Sequence, residues 1–184
     1  MKKILLLMAV LGLGLTSCEK SVDGTPGDPS LLFWFRLYDS NGNNIYEAED
    51  FCKEDVTLEY DGKIYQFSEY WQGGDESIRE SGWGNGFKFF YNDRQINKGF
   101  PAFSEFRIAQ IPRENYQSSF IIRYKDNEWN VEANWDLEEA DKAHVYHQHP
   151  IKVLVNGKIT DSIFVGNAPD DFSTEVWLYP LYIE

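Results

Sequence analysis

Val56-Thr57-Leu58-Glu59-Tyr60-Asp61-Gly62-Lys63-Ile64-Tyr65-Gln66-Phe67 sets two runs of β-branched and aromatic residues on either side of Asp61-Gly62. A two-residue Asp-Gly turn favours positive φ at both central positions, which matches the right-handed twist of two paired strands. This stretch therefore predicts a β-hairpin. Val153-Leu154-Val155, Asn156-Gly157 and Lys158-Ile159-Thr160 repeat the same chemistry further along the chain.

Outward from these hairpins the dominant signal remains strand. Residues 31–38 form an aromatic and apolar run, closed by the turn chemistry of Asp39-Ser40-Asn41-Gly42-Asn43-Asn44. Further strands are expected over 86–91, 103–111, 119–125, 128–133 and 174–183. Pro180 lacks a backbone N–H and suits a central strand poorly, so the last segment should run along an edge or carry a bulge. Only 135–144 has helical spacing, with Leu137, Ala140 and His144 on one face, enough for one or two turns. Many short strands with so little helix predict an all-β, antiparallel β-sandwich, most simply immunoglobulin-like, with a transthyretin-like sandwich as the alternative.

The N-terminus addresses location. Lys2 and Lys3 precede a short apolar run from Ile4 to Leu15, and Leu15-Thr16-Ser17-Cys18 closes it. The run is too short for a membrane span of about 20 residues and has signal-peptide organisation. Its ending resembles a bacterial lipobox, which implies cleavage before Cys18 and lipid attachment to it. On this reading residues 1–17 are a lipoprotein signal peptide and 18–30 are the lipidated cysteine and a flexible Gly/Pro-rich tether. Residues 31–184 are then a single β-sandwich domain.

Composition narrows the partners. The chain has 17 Lys and Arg against 30 Asp and Glu, a formal charge of −13, and loss of Lys2 and Lys3 with the leader makes it more negative. Phosphate binding depends on clustered Lys and Arg, so nucleic acid is excluded. Electrostatic adhesion to anionic headgroups is excluded likewise, leaving acyl chains on Cys18, such as palmitate, to hold the protein at a membrane. With Cys18 lipidated, Cys52 has no disulfide partner in its own chain, and the fold must rest on a core to which aromatics, at 16% of residues, contribute heavily.

Four constellations bear on function. Asp39 to Asn43 begins like a calcium loop, but the sixth and twelfth positions are Asn44 and Asp50 where an EF-hand needs Gly and Glu. A hairpin turn is the simpler reading. His144, His147 and His149 are weak zinc candidates without accompanying cysteine or an HExxH. Cys52, between Phe51 and Lys53, has nothing to organise it as a nucleophile. The stretch 68–87 is a long Gly-rich connection of the kind that is often functional. Its Tyr70, Trp71, Asp75, Trp83 and Asn85 bring flat aromatic faces beside carboxylate and amide groups, a combination suited to stacking on sugar rings. Trp34, Trp129, Trp135 and Trp177 lie in or beside strands and are expected in the core. No Gly-x-Ser-x-Gly, P-loop or dinucleotide fingerprint occurs, and a glycosidase-type carboxylate pair cannot be read from spacing.

The leader, lipobox, tether and the opening Phe35-Arg36-Leu37-Tyr38-Asp39-Ser40-Asn41-Gly42-Asn43-Asn44 together resemble small cell-envelope lipoproteins of Bacteroidetes-type Gram-negative bacteria. The resemblance implies a lipid-anchored envelope protein with a β-sandwich, located at the outer membrane on its periplasmic or surface face. The expected function is a non-catalytic glycan or small-ligand binding module without a cofactor. The alternative is a structural or protein-interaction subunit of an envelope or fimbria-like assembly.

Overall fold

A computed structural model describes residues 30–70, 72, 86–93, 99–109, 116–136, 147–167 and 175–183. Strands dominate them: β1 (Ser30–Tyr38), β2 (Val56–Tyr60), β3 (Lys63–Gln66), β4 (Gly86–Asn92), β5 (Phe103–Ala109), β6 (Tyr116–Tyr124), β7 (Asn127–Trp135), β8 (His147–Gln148), β9 (Lys152–Val155), β10 (Lys158–Ile159), β11 (Ile163–Asn167) and β12 (Glu175–Tyr182). Two single 3₁₀ turns, Ile45–Glu47 and Lys53–Asp55, are the only helical elements among the described residues.

The strands form two six-stranded sheets that pack as a sandwich. The first has the order β11-β12-β1-β5-β4, with β8 also paired to β1, and the second β10-β9-β7-β6-β2-β3. Both predicted two-residue hairpins are present, with φ of 51° and 71° at Asp61 and Gly62 and of 50° and 75° at Asn156 and Gly157. Two pairings depart from a purely antiparallel arrangement, because β1 runs parallel to both β12 and β8. At one margin the chain passes from β3 to β4, and at the other from β10 to β11, so each margin carries a connection between the two sheets.

Side-chain alternation explains the core. On β7, Trp129, Val131, Ala133 and Trp135 face inward while Glu128, Asn130 and Glu132 face out. Trp135 thus ends a strand and does not begin a helix, since the period-two pattern runs through it. The rest of the expected helix, 137–144, lies outside the described residues. Phe33, Phe106 and Phe120 meet between the sheets, with centroids 5.1 Å apart for Phe33–Phe120 and 4.8 Å for Phe106–Phe120.

β1 is buried on both faces, which is why it reads as an unbroken apolar run. Leu31, Phe33, Phe35 and Leu37 face the main core. Leu32 and Trp34 join Phe100, Phe103, Val176 and Leu178 in a second, smaller core on the outside of the first sheet. Pro180 pairs with Arg36 of β1, beyond Leu178, the last β12 residue that β11 reaches. At Pro180, β12 is therefore locally an edge, as its missing N–H requires.

Candidate functional site

The connection that leaves β3 is anchored at its root. Ser68 N–H donates to the Phe89 carbonyl at 2.8 Å, and Gln72 and Phe87 exchange backbone hydrogen bonds of 2.8 and 3.0 Å. Gln72 Nε2 donates to the Gln66 carbonyl, and Tyr70 N–H donates to Ser68 Oγ. Phe67 stacks on Phe89 with centroids 4.4 Å apart. This anchoring leaves Tyr70 projecting into solvent with 81% of its surface exposed.

Beside that root lies a cleft of about 320 Å³. Glu54 and Lys53 come from the second 3₁₀ turn, Gln66 from the end of β3, Ser68 and Glu69 from the connection, and Tyr91 and Asp93 from the end of β4. Phe67 and Phe90 complete the walls. The volume is at the low end of the ~300–1,000 Å³ usual for small-molecule sites. Three carboxylates, an amide, two hydroxyls and one ammonium converge around aromatic rings. Such a set is rich in acceptors and matches ligands that present many hydroxyl donors.

Titration in and around the cleft follows from its geometry. Burial, reinforced by the negative charge of Asp93, pushes the Tyr91 phenol up. The Cys52 thiol donates to Glu54 Oε2 at 3.2 Å. That hydrogen bond raises the thiol pKa and lowers that of Glu54. Cys52 is thus held protonated as a donor, the opposite of what an activated thiol nucleophile needs.

The other candidates take up different roles. Asp39 Oδ1 accepts from the backbone N–H groups of Asn41 and Asn43 at 2.9 and 2.8 Å, and Oδ2 accepts from Asn43 Nδ2 at 2.8 Å. These bonds hold its carboxyl below the ordinary range and commit both oxygens to the turn. His149 packs edge-on against Trp34 at 4.6 Å, and His147 lies in β8 opposite Ser30. Cys18, Trp71, Asp75, Trp83, Asn85 and His144 lie outside the described residues. Trp34, Trp129 and Trp135 are core residues as expected, whereas Trp177 is 41% exposed and is not.

Two features escaped the sequence reading. The cleft draws on three separate segments, and nothing local in Lys53, Gln66 or Asp93 signals their meeting. The second is a buried polar group on the outer face of the first sheet. Glu105, 1% exposed, accepts from Trp34 Nε1 at 2.8 Å and from Arg107 Nε at 2.7 Å. Burial pushes its carboxyl up in spite of Arg107. Nearby, Arg36 donates to the carbonyls of Ala102 and Pro101 at 2.9 and 3.1 Å, tying the segment before β5 to β1. No protein-family model, curated protein or solved structure matches the chain.

Proposed function

We propose that the protein is a non-catalytic cell-envelope lipoprotein, anchored through lipid on Cys18, that binds a glycan or another small polar ligand at the root of the connection between β3 and β4. The observation that carries the reading is the cleft itself. It joins a convergent set of carboxylate, amide and hydroxyl groups to the base of the segment that holds Trp71, Trp83, Asp75 and Asn85. Hydrogen-bond acceptors beside aromatic faces are what a sugar ring requires, since hydroxyls point outward from its rim and C–H groups cover its faces. The high negative charge favours neutral ligands over anionic ones.

Intrinsic tryptophan fluorescence of the full chain, titrated with neutral oligosaccharides, tests this. A saturable shift that disappears in Trp71→Ala, Trp83→Ala or Glu69→Gln, with unchanged circular dichroism, supports it. Silence across the panel overturns it. The anchor is checked separately by metabolic palmitate labelling, which Cys18→Ala should abolish.

The structural or protein-interaction reading is favoured by a different observation. The outer strands of the second sheet, β3 and β10, display Ile64 and Ile159 at 66% and 70% exposure. Apolar side chains on open edges suit the addition of a partner strand. In-cell crosslinking that recovers one envelope protein, and loses it in Ile64→Lys or Ile159→Lys, would favour that role.

A further inference from the structure

The margin opposite the cleft carries a second arrangement of aromatic and polar groups, on β11 and β12. Along β12, Tyr179 and Leu181 face the main core and Val176 and Leu178 the second core. Alternation therefore aims Trp177 to the same side as Tyr179. Its direct cross-strand partner is Phe164. The facing sheet ends at this margin with the two-residue β10, and the pair stays open, with Trp177 41% and Phe164 50% exposed. Their rings lie 5.3 Å apart at 50°. The next pair along the ladder on this side is Asn167 opposite Glu175, offset by the bulge between Phe164 and Gly166. Trp177 Nε1 donates to Glu175 Oε2 at 3.0 Å.

We propose that Trp177, Phe164 and Glu175 form a carbohydrate-binding platform that takes a neutral pyranose ring. A cross-strand aromatic pair by itself stabilises a sheet, but here the indole N–H is turned to a carboxylate and 41% of the Trp177 surface is left to solvent. The indole offers an apolar surface for the C–H face of a sugar. An ionised carboxylate has about four acceptor positions, so Glu175 can serve the indole and still accept from sugar hydroxyls. Charge selects the occupant. The charged group of the platform is negative and the chain carries −13, so uronic, sialic and sulfated sugars are repelled. The inference rests on the glycan-binding reading above for its ligand class, but not for its site, which is at the other end of the first sheet from β4.

Isothermal titration calorimetry on the full chain separates the two sites. The probes are neutral hexasaccharides of glucose, xylose, mannose and N-acetylglucosamine, with hexagalacturonate as the anionic counterpart. The variants are Trp177→Ala, Glu175→Gln and, for the cleft, Tyr70→Ala. The platform is supported when a neutral hexasaccharide binds, Trp177→Ala weakens it by about tenfold or more, Glu175→Gln weakens it less, and hexagalacturonate gives no heat. Glu175→Gln is an exposed, near-isosteric change and keeps the test valid if Trp177→Ala fails to fold. Loss of binding only in Tyr70→Ala overturns the platform and leaves the cleft standing. Loss only in the Trp177 and Glu175 variants overturns the cleft and leaves the platform. No binding by any neutral hexasaccharide, or a preference for hexagalacturonate, overturns the platform outright.

Discussion

Replacing Glu105 separates two effects that a buried carboxylate combines. In Glu105→Ala the Trp34 indole N–H and the Arg107 guanidinium both lose their acceptor. The Arg107 side chain is 26% exposed and can turn to water, but Trp34 is 8% exposed and its N–H is stranded. An unmet buried donor costs roughly 1–3 kcal/mol, so Glu105→Ala should destabilise the fold by about 2 kcal/mol. For a chain of this length that lowers Tm by about 4–8 °C. Glu105→Gln keeps an acceptor oxygen for the indole and should cost clearly less. The two variants also differ in pH dependence. Burial raises the carboxyl above its ordinary 4.5 in the folded chain, despite Arg107. The folded state therefore binds its proton more tightly than the unfolded state. The resulting stabilisation is complete below the ordinary value and is lost as pH rises through the folded one. Urea unfolding of wild type and Glu105→Gln from acid to neutral pH should show the wild type losing ground to the variant as pH increases. If the wild type instead gains on Glu105→Gln over that interval, Arg107 outweighs desolvation and the reasoning fails.

Asp39→Ala should lower Tm at neutral pH by releasing the N–H groups of Asn41 and Asn43, measured by thermal unfolding. Because the Asp39 pKa is depressed, its contribution should be present above the ordinary 3.8 and fade as pH falls through the folded value. Added calcium should leave the wild-type Tm unchanged, since the carboxylate oxygens already serve the turn. Gly62→Ala and Gly157→Ala should each cost about 1–2 kcal/mol in chemical denaturation. Both sit at positive φ with open space around a new Cβ, so the loss reports backbone strain without a clash. Cys52 should alkylate more slowly than free cysteine at neutral pH, and Glu54→Gln should change that rate by removing the carboxylate that holds the thiol.

Hairpin chemistry was the most legible part of the fold. Asp61-Gly62 and Asn156-Gly157 demand positive φ and sit between period-two runs, so local sequence decides their geometry. The doubly buried β1 was legible as a strand, but its second core was not, because Phe100 and Val176 are remote in sequence from Leu32 and Trp34. β11 was missed because Ile163-Phe164-Val165-Gly166-Asn167 is short and holds a glycine at a bulge, where an added Cβ would meet Phe100 at 3.3 Å. Leu137, Ala140 and His144 follow Trp135 at helical spacing and suggest a helix start there, but the alternation that ends on Trp135 determines its state. Of the proposed ligand residues, Tyr70 is exposed. The cleft beside it depends on which strands flank the connection, and topology of that kind has no local signature.

The most direct check of the binding role is backbone amide shift mapping of the full chain during titration with the neutral hexasaccharides. The expected result is saturable shifts concentrated on Glu54, Gln66, Ser68, Glu69, Tyr70, Tyr91 and Asp93. Shifts confined to Phe164, Glu175 and Trp177, or none with any hexasaccharide, would contradict a glycan-binding cleft.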